Sequence, residues 1–194
     1  MRRLLERALL LIGIVSAGWF VGSVTASRLD QAAGSRDLER EIAAARSRRR
    51  RPASRVPPVA ADGSIIGELS IPRLGLSAIA REGTGSSTLR VAIGHIPGTA
   101  LPPASGNAGF AAHRDSFFHD LGRLRPNDEV RLRRPSGTFV YRVQWTLIAE
   151  PEATWVIGPA SEESLTLVTC YPFHYVGPAP KRFVVRATLF ERPT

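Results

Sequence analysis

From Gly63 to its end the chain is a run of short strand-forming stretches broken by turn residues. No apolar-periodic segment there is long enough to serve as the crossover helix of a parallel α/β sheet. "SIIGELSIP" alternates apolar and polar residues and stops at Pro72. "LSAIA" follows a turn at Gly75, and "GNAGFAAH" opens on a turn pair and then becomes apolar. "DEVRLRR" and "TFVYRVQWTLI" predict a hairpin with Ser136–Gly137 in its turn, both strands rich in β-branched and aromatic residues. "SLTLVTC" and "RFVVRATLF" complete the set; in the second, Phe183, Val185 and Ala187 alternate with Val184, Arg186 and Thr188. Only "SSTLRVAIG" and "SFFHDLGRL" read as short helices. Seven or eight short strands in about 130 residues predict a mainly β barrel or sandwich, without an internal repeat.

The segment before this domain is of another kind. Between Arg7 and Arg28 there is no charge, and at about 1.5 Å per residue the stretch 8–27 is as long as a hydrocarbon core is thick. Its length, Trp19 near its far end and the polar stalk that follows favour a retained anchor. The competing reading is a cleaved signal peptide, with Val24 and Ala26 at a weak cleavage site. Arg2, Arg3 and Arg7 precede the span while Arg28, Arg36, Arg40 and Arg46 follow it, so charge alone leaves the orientation open. The expected organisation is a basic N-terminus (1–7), a membrane span (8–27), a helical stalk with a Pro-rich linker (28–61) and a β domain (62–194). In the stalk Leu38, Ile42 and Ala45 fall at helical spacing; a solvated helix is the first reading and a weak self-association face the second. The arginine run before Pro57 and Pro58 reads as a linker, able to rest on anionic lipid or wall polymer.

Charge separates the same two regions. Residues 1–58 hold twelve arginines against five acids, whereas the remainder holds fourteen basic residues against twelve acids. The β domain therefore has no surplus with which to track phosphates, which argues against a nucleic-acid partner.

The single cysteine, Cys170, rules out an internal disulfide. It ends an apolar run and is followed by Tyr171 and Pro172, a position that gives access to substrate where mid-strand positions do not. A lone cysteine is more often a buried small hydrophobe, so the chemistry needs partners. A thiolate nucleophile needs a base or a cation beside it. His113 stands just after a strand, and His174 lies four residues past Cys170 in a loop; chemistry alone does not choose between them. His119 reads as a surface residue and His95 as a satisfied loop histidine. Arg182 opens the strand after the cysteine's and could offer a fixed fork to a developing oxyanion, although Lys181 beside it suits a plain basic surface. The histidines show no zinc spacing, no acidic loop argues for calcium, and nothing suggests a redox or hydride cofactor.

"LTLVTC" followed by Arg182 resembles the sortase signature, a T-L-x-T-C strand with an arginine about a dozen residues on. "GHIPGTALPPASGNAGFAAHRDSFFHDLGRLRPNDEVRL" is similar to the sortase block that contains the histidine. "GELSIPRLGL" and "REGTGSSTLRVAIGH" look like the start of the family barrel. The similarity runs from about Ile65 to Phe190, and "TCYPFHYVGPAPKRFVV" is nearest in flavour to class D-like sortases. Ala112 stands where the family usually has glycine before the histidine.

The resemblance implies an eight-stranded barrel on an N-terminal anchor, with the domain on the extracytoplasmic side of a cell membrane. It implies Cys170 as nucleophile, His113 as acid and base, and Arg182 as oxyanion and substrate clamp, and it demotes His174. Thr169 and Tyr171 are expected to border the substrate groove. The activity implied is transpeptidation without a cofactor: an LPxTG-like sorting signal of a surface protein is cleaved through a thioacyl enzyme. An amine, from a peptidoglycan precursor or a pilin lysine, then takes the acyl group. A cysteine peptidase with water as acceptor and a non-catalytic binding module with an inert Cys170 are the alternative readings.

Overall fold

The computed structural model describes residues 2–48 and 60–193. One helix, α1 (Arg2–Arg48), precedes eight strands: β1 (Ile65–Ile71), β2 (Leu76–Glu82), β3 (Ile93–His95), β4 (Asn107–Ala111), β5 (Glu129–Arg134), β6 (Gly137–Ala149), β7 (Ser164–Tyr171) and β8 (Lys181–Glu191). A short helix, α2 (Ser86–Val91), joins β2 to β3, and 3-10 turns stand at Pro72–Leu74, Leu121–Arg123 and Thr154–Ile157. The linker expected around Pro57 and Pro58 lies outside the described residues.

The strands close into a barrel in the order β1-β2-β3-β4-β7-β8-β6-β5. Closure gives every strand a neighbour on each side. Of the two barrel-or-sandwich alternatives, the barrel is the one formed. Two pairs are parallel: β2 with β3, crossed over by the six-residue α2, and β4 with β7, whose connection contains the β5–β6 hairpin. No long helix is needed for either. That hairpin turns one residue earlier than the sequence suggests: Arg134 pairs with Gly137, leaving Pro135 and Ser136 between the strands.

Alternation packs the barrel. Leu69, Phe110, Leu132, Phe139, Leu165, Leu167 and Val185 point inward and are buried in one cluster. Gly67, at a register shift of β1, has no room for a side chain, because a Cβ there would run into the Arg133 carbonyl of β5. Gly75 takes a left-handed φ of 64° as the chain turns from Leu74 into β2, a geometry that favours glycine.

A second cluster lies on the outward face, where the β6–β7 connection folds back. Val156 of its 3-10 turn packs with Ala149 and Val184, flanked by Trp145, Leu147, Ala153 and Ile157.

The helix α1 also meets the barrel. Leu38 and Ile42 are buried against Ile79, with Ile65 alongside, so the apolar stripe of the stalk is taken up by the barrel instead of being solvated. Gly34 lets the helix come within contact of the Ile79 side chain. Because β3 is only three residues long, the first half of β2 is an open edge, and Gln31 covers it. The Gln31 carbonyl oxygen accepts the Ile79 N–H at 2.7 Å, and its amide donates to the Val91 carbonyl at 2.5 Å. Arg81 pairs with Asp30 at 3.1 Å, and Arg133 bridges Glu39 of the helix and Glu68 of β1. Towards its N-terminus α1 carries exposed Leu9, Leu10, Leu11, Ile12, Ile14 and Val15, a surface apolar enough to cross a membrane.

Candidate active site

Cys170 stands one residue before the end of β7. Leu165 and Leu167 of this strand face the barrel interior, so Thr166, Val168 and Cys170 face outward, and Cys170 is half-buried. Directly opposite on β8 is Arg182, the register partner of Cys170 in the antiparallel ladder. Arg182 shares this outward face with Val184, which is buried beneath the β6–β7 connection. One Nη of Arg182 donates to the carbonyls of Ala179 (3.3 Å) and Lys181 (3.0 Å). Among the described residues no carboxylate pairs with it, so its charge is free for an anion in front of the two strands.

His113 reaches the same place from β4. The parallel ladder ends with Ala111 beside Val168, the Ala112 N–H donates to the Val168 carbonyl at 3.3 Å, and the Thr169 hydroxyl donates to the Ala112 carbonyl at 2.8 Å. These bonds hold the residue just before His113 against the residue just before Cys170. The chain then turns, with the Ser116 and Phe118 N–H groups bonded to the His113 carbonyl, and His113 is exposed. Among the described residues neither the thiol nor this ring has a hydrogen-bond partner.

The other histidines are sorted by their surroundings. His95 is buried on β3, its Nδ1 2.8 Å from the Glu82 carboxylate and its Nε2 2.9 Å from the Thr99 hydroxyl. That makes it a satisfied core residue on a strand, not in a loop. His119 is exposed, bonded to the Ser116 carbonyl and beside Asp120. His174 is exposed in the loop between β7 and β8, with no ladder to bring it into register with Cys170.

Thr169 and Tyr171 lie on the inward side of β7. Thr169 is buried with its hydroxyl committed to Ala112. Tyr171 packs on the core, stacked over Phe183 and edge-on to Phe173. These contacts brace the strand end that carries Cys170, next to which a substrate groove is expected.

Two residues not singled out from the sequence organise the surroundings. Arg114, directly after His113, donates to the carbonyls of Pro172 (3.0 Å), Tyr175 (2.7 Å) and Gly177 (3.1 Å), and its guanidinium lies 5.7 Å from the Tyr175 ring centroid. One side chain therefore holds the β7–β8 loop, whose flanking strands carry Cys170 and Arg182 one residue in from their ends. Asn107, buried at the start of β4, does the same for the other wall. Its carbonyl oxygen accepts from Thr166 (2.7 Å) and Ser164 (3.2 Å), while its amide donates to Gly158 (3.2 Å) of the β6–β7 connection. Arg186 adds a bond to the Val156 carbonyl at 2.6 Å. Adjacency to His113 was the only sequence signal for Arg114, in a chain with twenty-six basic residues.

The arrangement presents a thiol, an opposed fixed cation and an imidazole at one barrel end, between two pinned loops. A group attacked by the thiol would develop its negative charge beside Arg182, and a leaving group could take a proton from His113. Among the described residues no group of three or more His, Cys, Asp and Glu side chains could hold a metal ion.

A family model described as a sortase domain matches residues 69–190. Sortase D of Bacillus subtilis (strain 168) is 36% identical over 124 residues, which cover 63% of this chain and 63% of that protein. The chain thus spans less than two thirds of the length of the relative it matches. The Sortase D5 transpeptidase of Clostridium perfringens superposes with a TM-score of 0.69 at 21% identity, covering 84% of this chain and 99% of that one. Sortase C of Clostridium perfringens, solved with the C-terminal cell wall sorting motif, gives 0.63 at 22% identity, covering 80% and 89%. These two structural matches concern the fold.

Proposed function

Since the chain belongs to the sortase family and is class D-like within it, we propose that it is a membrane-anchored cysteine transpeptidase. It cleaves an LPxTG-like sorting signal and joins the acyl group to an amine, attaching proteins to the cell surface. In this reading residues 8–27 are a retained single-pass anchor, residues 28–61 a stalk and linker, and residues 62–194 the catalytic barrel on the extracytoplasmic side. The substrate is a surface protein bearing the signal. The acceptor is the amine of a peptidoglycan precursor or of a pilin lysine.

Cys170 as thiolate attacks the carbonyl carbon of the signal's threonine, and the carbonyl oxygen becomes an oxyanion. Arg182 stabilises that charge, which exists only in the transition state and intermediate, so its contribution goes to rate and not to ground-state binding. The C–N bond breaks as His113 gives its proton to the leaving amine, and a thioacyl enzyme remains. The acceptor amine then attacks the thioester, His113 takes its proton, and the Cys170 thiolate leaves. Thr169 supports this geometry by holding the Ala112 carbonyl, and Tyr171 by fixing the strand end in the aromatic cluster.

The observation that carries the reading is the pairing of Cys170 with Arg182 across β7 and β8, with His113 brought alongside by the β4–β7 register. The test is intact-mass spectrometry of the full chain in detergent micelles, incubated with LPxTG-type peptides and a free amine. A thioacyl adduct or amine-capped product, absent in Cys170→Ala, is the expected result. A Cys170-dependent product capped only by water would make it a peptidase. A thiol that neither reacts with peptide nor labels until the fold is denatured would make it a binding module.

A further inference from the structure

The helix α1 leaves the barrel at a particular end. Its later turns, from Gly34 to Ile42, lie on the middle of β2 and on β1. Its earlier turns, from Phe20 to Arg28, lie beside Leu74–Ser77, where β2 begins. The ladders place that beginning at the barrel end where β4 and β7 finish: Ala80 pairs with Ile93, Gly94 with Ala111, and Ala111 with Val168. His113 and Cys170 stand at the same end. The apolar part of α1 therefore projects past the end of the barrel that carries the candidate site.

A groove of about 660 Å³ separates the two there. Phe20 and Val24 line it from the helix, and Leu74, Leu76 and Phe117 from the barrel. The barrel thus stands beside the last two turns of the uncharged stretch, Phe20 to Ser27, which sets those turns level with the barrel end and leaves the exposed turns around residues 9–15 to enter the hydrocarbon. The barrel surface beside them is not hydrocarbon-like throughout. Asp115, His119 and Asp120 line the same groove, and Arg123 follows them, exposed. Charges of that kind are costly in the bilayer core and at home in the headgroup layer. Aromatic residues belong at the same level, and Trp19, 82% exposed, lies beside Phe20 on the helix. Arg28, Arg90 and Arg125 pair with no carboxylate among the described residues, whereas Arg73 and Arg123 are engaged by Asp128 and Asp120. A cationic surplus on a partly apolar surface fits phospholipid headgroups.

We propose that the barrel end formed by Pro72–Leu74 and by residues 115–125 rests on the headgroup layer of the bilayer that α1 enters, so that the Cys170 site opens at the membrane surface. The partner of this face is phospholipid. The inference depends on the anchor assigned above and adds to it a fixed orientation of the barrel.

The test uses the full chain with Cys170→Ala, which removes the only cysteine, in nanodiscs of phosphatidylcholine and phosphatidylglycerol. A fluorophore is attached to one cysteine at a time, introduced by Val15→Cys, His119→Cys, Arg123→Cys or Glu162→Cys. Quenching by nitroxide carried on the lipid headgroup or on the acyl chain is then read. Val15 lies in the span, and Glu162 lies next to the start of β7, at the opposite barrel end. The expected result is acyl-chain quenching at 15, headgroup quenching at 119 and 123, and none at 162. Quenching at 15 with 119 and 123 as unaffected as 162 would overturn the docking face and leave the anchor standing. No quenching at 15 would overturn the anchor and the docking face together. Two labelled sites on the face guard against one substitution disturbing the turn.

Discussion

Arg114 holds one side of the candidate site through hydrogen bonds to backbone alone. Its three carbonyl acceptors lie along the loop that leads from Cys170 to Arg182, and its own backbone follows His113. A guanidinium fork can satisfy acceptors in three directions, which a lysine ammonium does less rigidly. Arg114→Ala is expected to leave the barrel folded and to release residues 172–180. The register of Cys170 against Arg182 then relaxes, and misplacement on the scale of an ångström costs up to about a hundredfold in rate. The loss should fall on kcat, with KM little changed, and hydrogen exchange should rise in the loop alone. A raised KM at constant kcat would make Arg114 part of the substrate wall instead. Thr169 is its counterpart on the other side of the thiol, since its hydroxyl fixes the carbonyl before His113.

Between elements, the contact of Glu68 on β1 with Ser77 on β2 and Arg133 on β5 responds to pH. Burial alone would raise the Glu68 carboxyl, but the Ser77 hydroxyl and the Arg133 guanidinium outweigh it and hold Glu68 below its ordinary value of 4.5. A carboxyl lowered in the fold contributes stability that is complete above its unfolded pKa and is lost as pH falls through the lower, folded one. Unfolding midpoints measured from neutral to acid pH should therefore drop below about pH 4.5, and Glu68→Gln should flatten that part of the curve. The strands in this contact were legible from the sequence, because alternation in β1 and the hairpin residues of β5 and β6 is a local property. β3 was not: three residues between a short helix and a loop carry no period, and its place is set by pairing with β2 and β4. The Thr154–Ile157 turn was equally silent, since Asn107 and Arg186 hold it across long stretches of chain. In the site, Cys170 and Arg182 stood out through their motif. Spacing alone leaves His113 and His174 open, the resemblance points to His113, and the β4–β7 register that brings it alongside Cys170 has no local signal.

At the scale of the molecule, two of the three hydrophobic clusters meet along one seam. The barrel interior and the cluster of Leu38, Ile42 and Ile79 are separate, so the helix can be detached without emptying the barrel. Leu38 is fully buried there, and losing its burial costs on the order of 3 kcal/mol, more if a charge takes its place. In the proposed arrangement the seam also sets the height of the barrel over the membrane, because α1 is continuous from its apolar turns to the contact with Ile79. Leu38→Glu should therefore uncouple turnover from membrane depth, which the native chain keeps together. Hydrogen exchange should rise across Gln31–Ile42 and at the Ile79 amide, which Gln31 no longer covers, while β6, β7 and β8 stay protected. Turnover of a short soluble peptide should change little, since neither Cys170, Arg182 nor His113 touches the seam. Headgroup quenching of a label at position 123 should fall, because a barrel held only through the linker no longer rests at a fixed depth. If β7 and β8 lose protection together with the helix, the seam belongs to the cooperative core, and α1 is part of the barrel's fold and not an appendage to it.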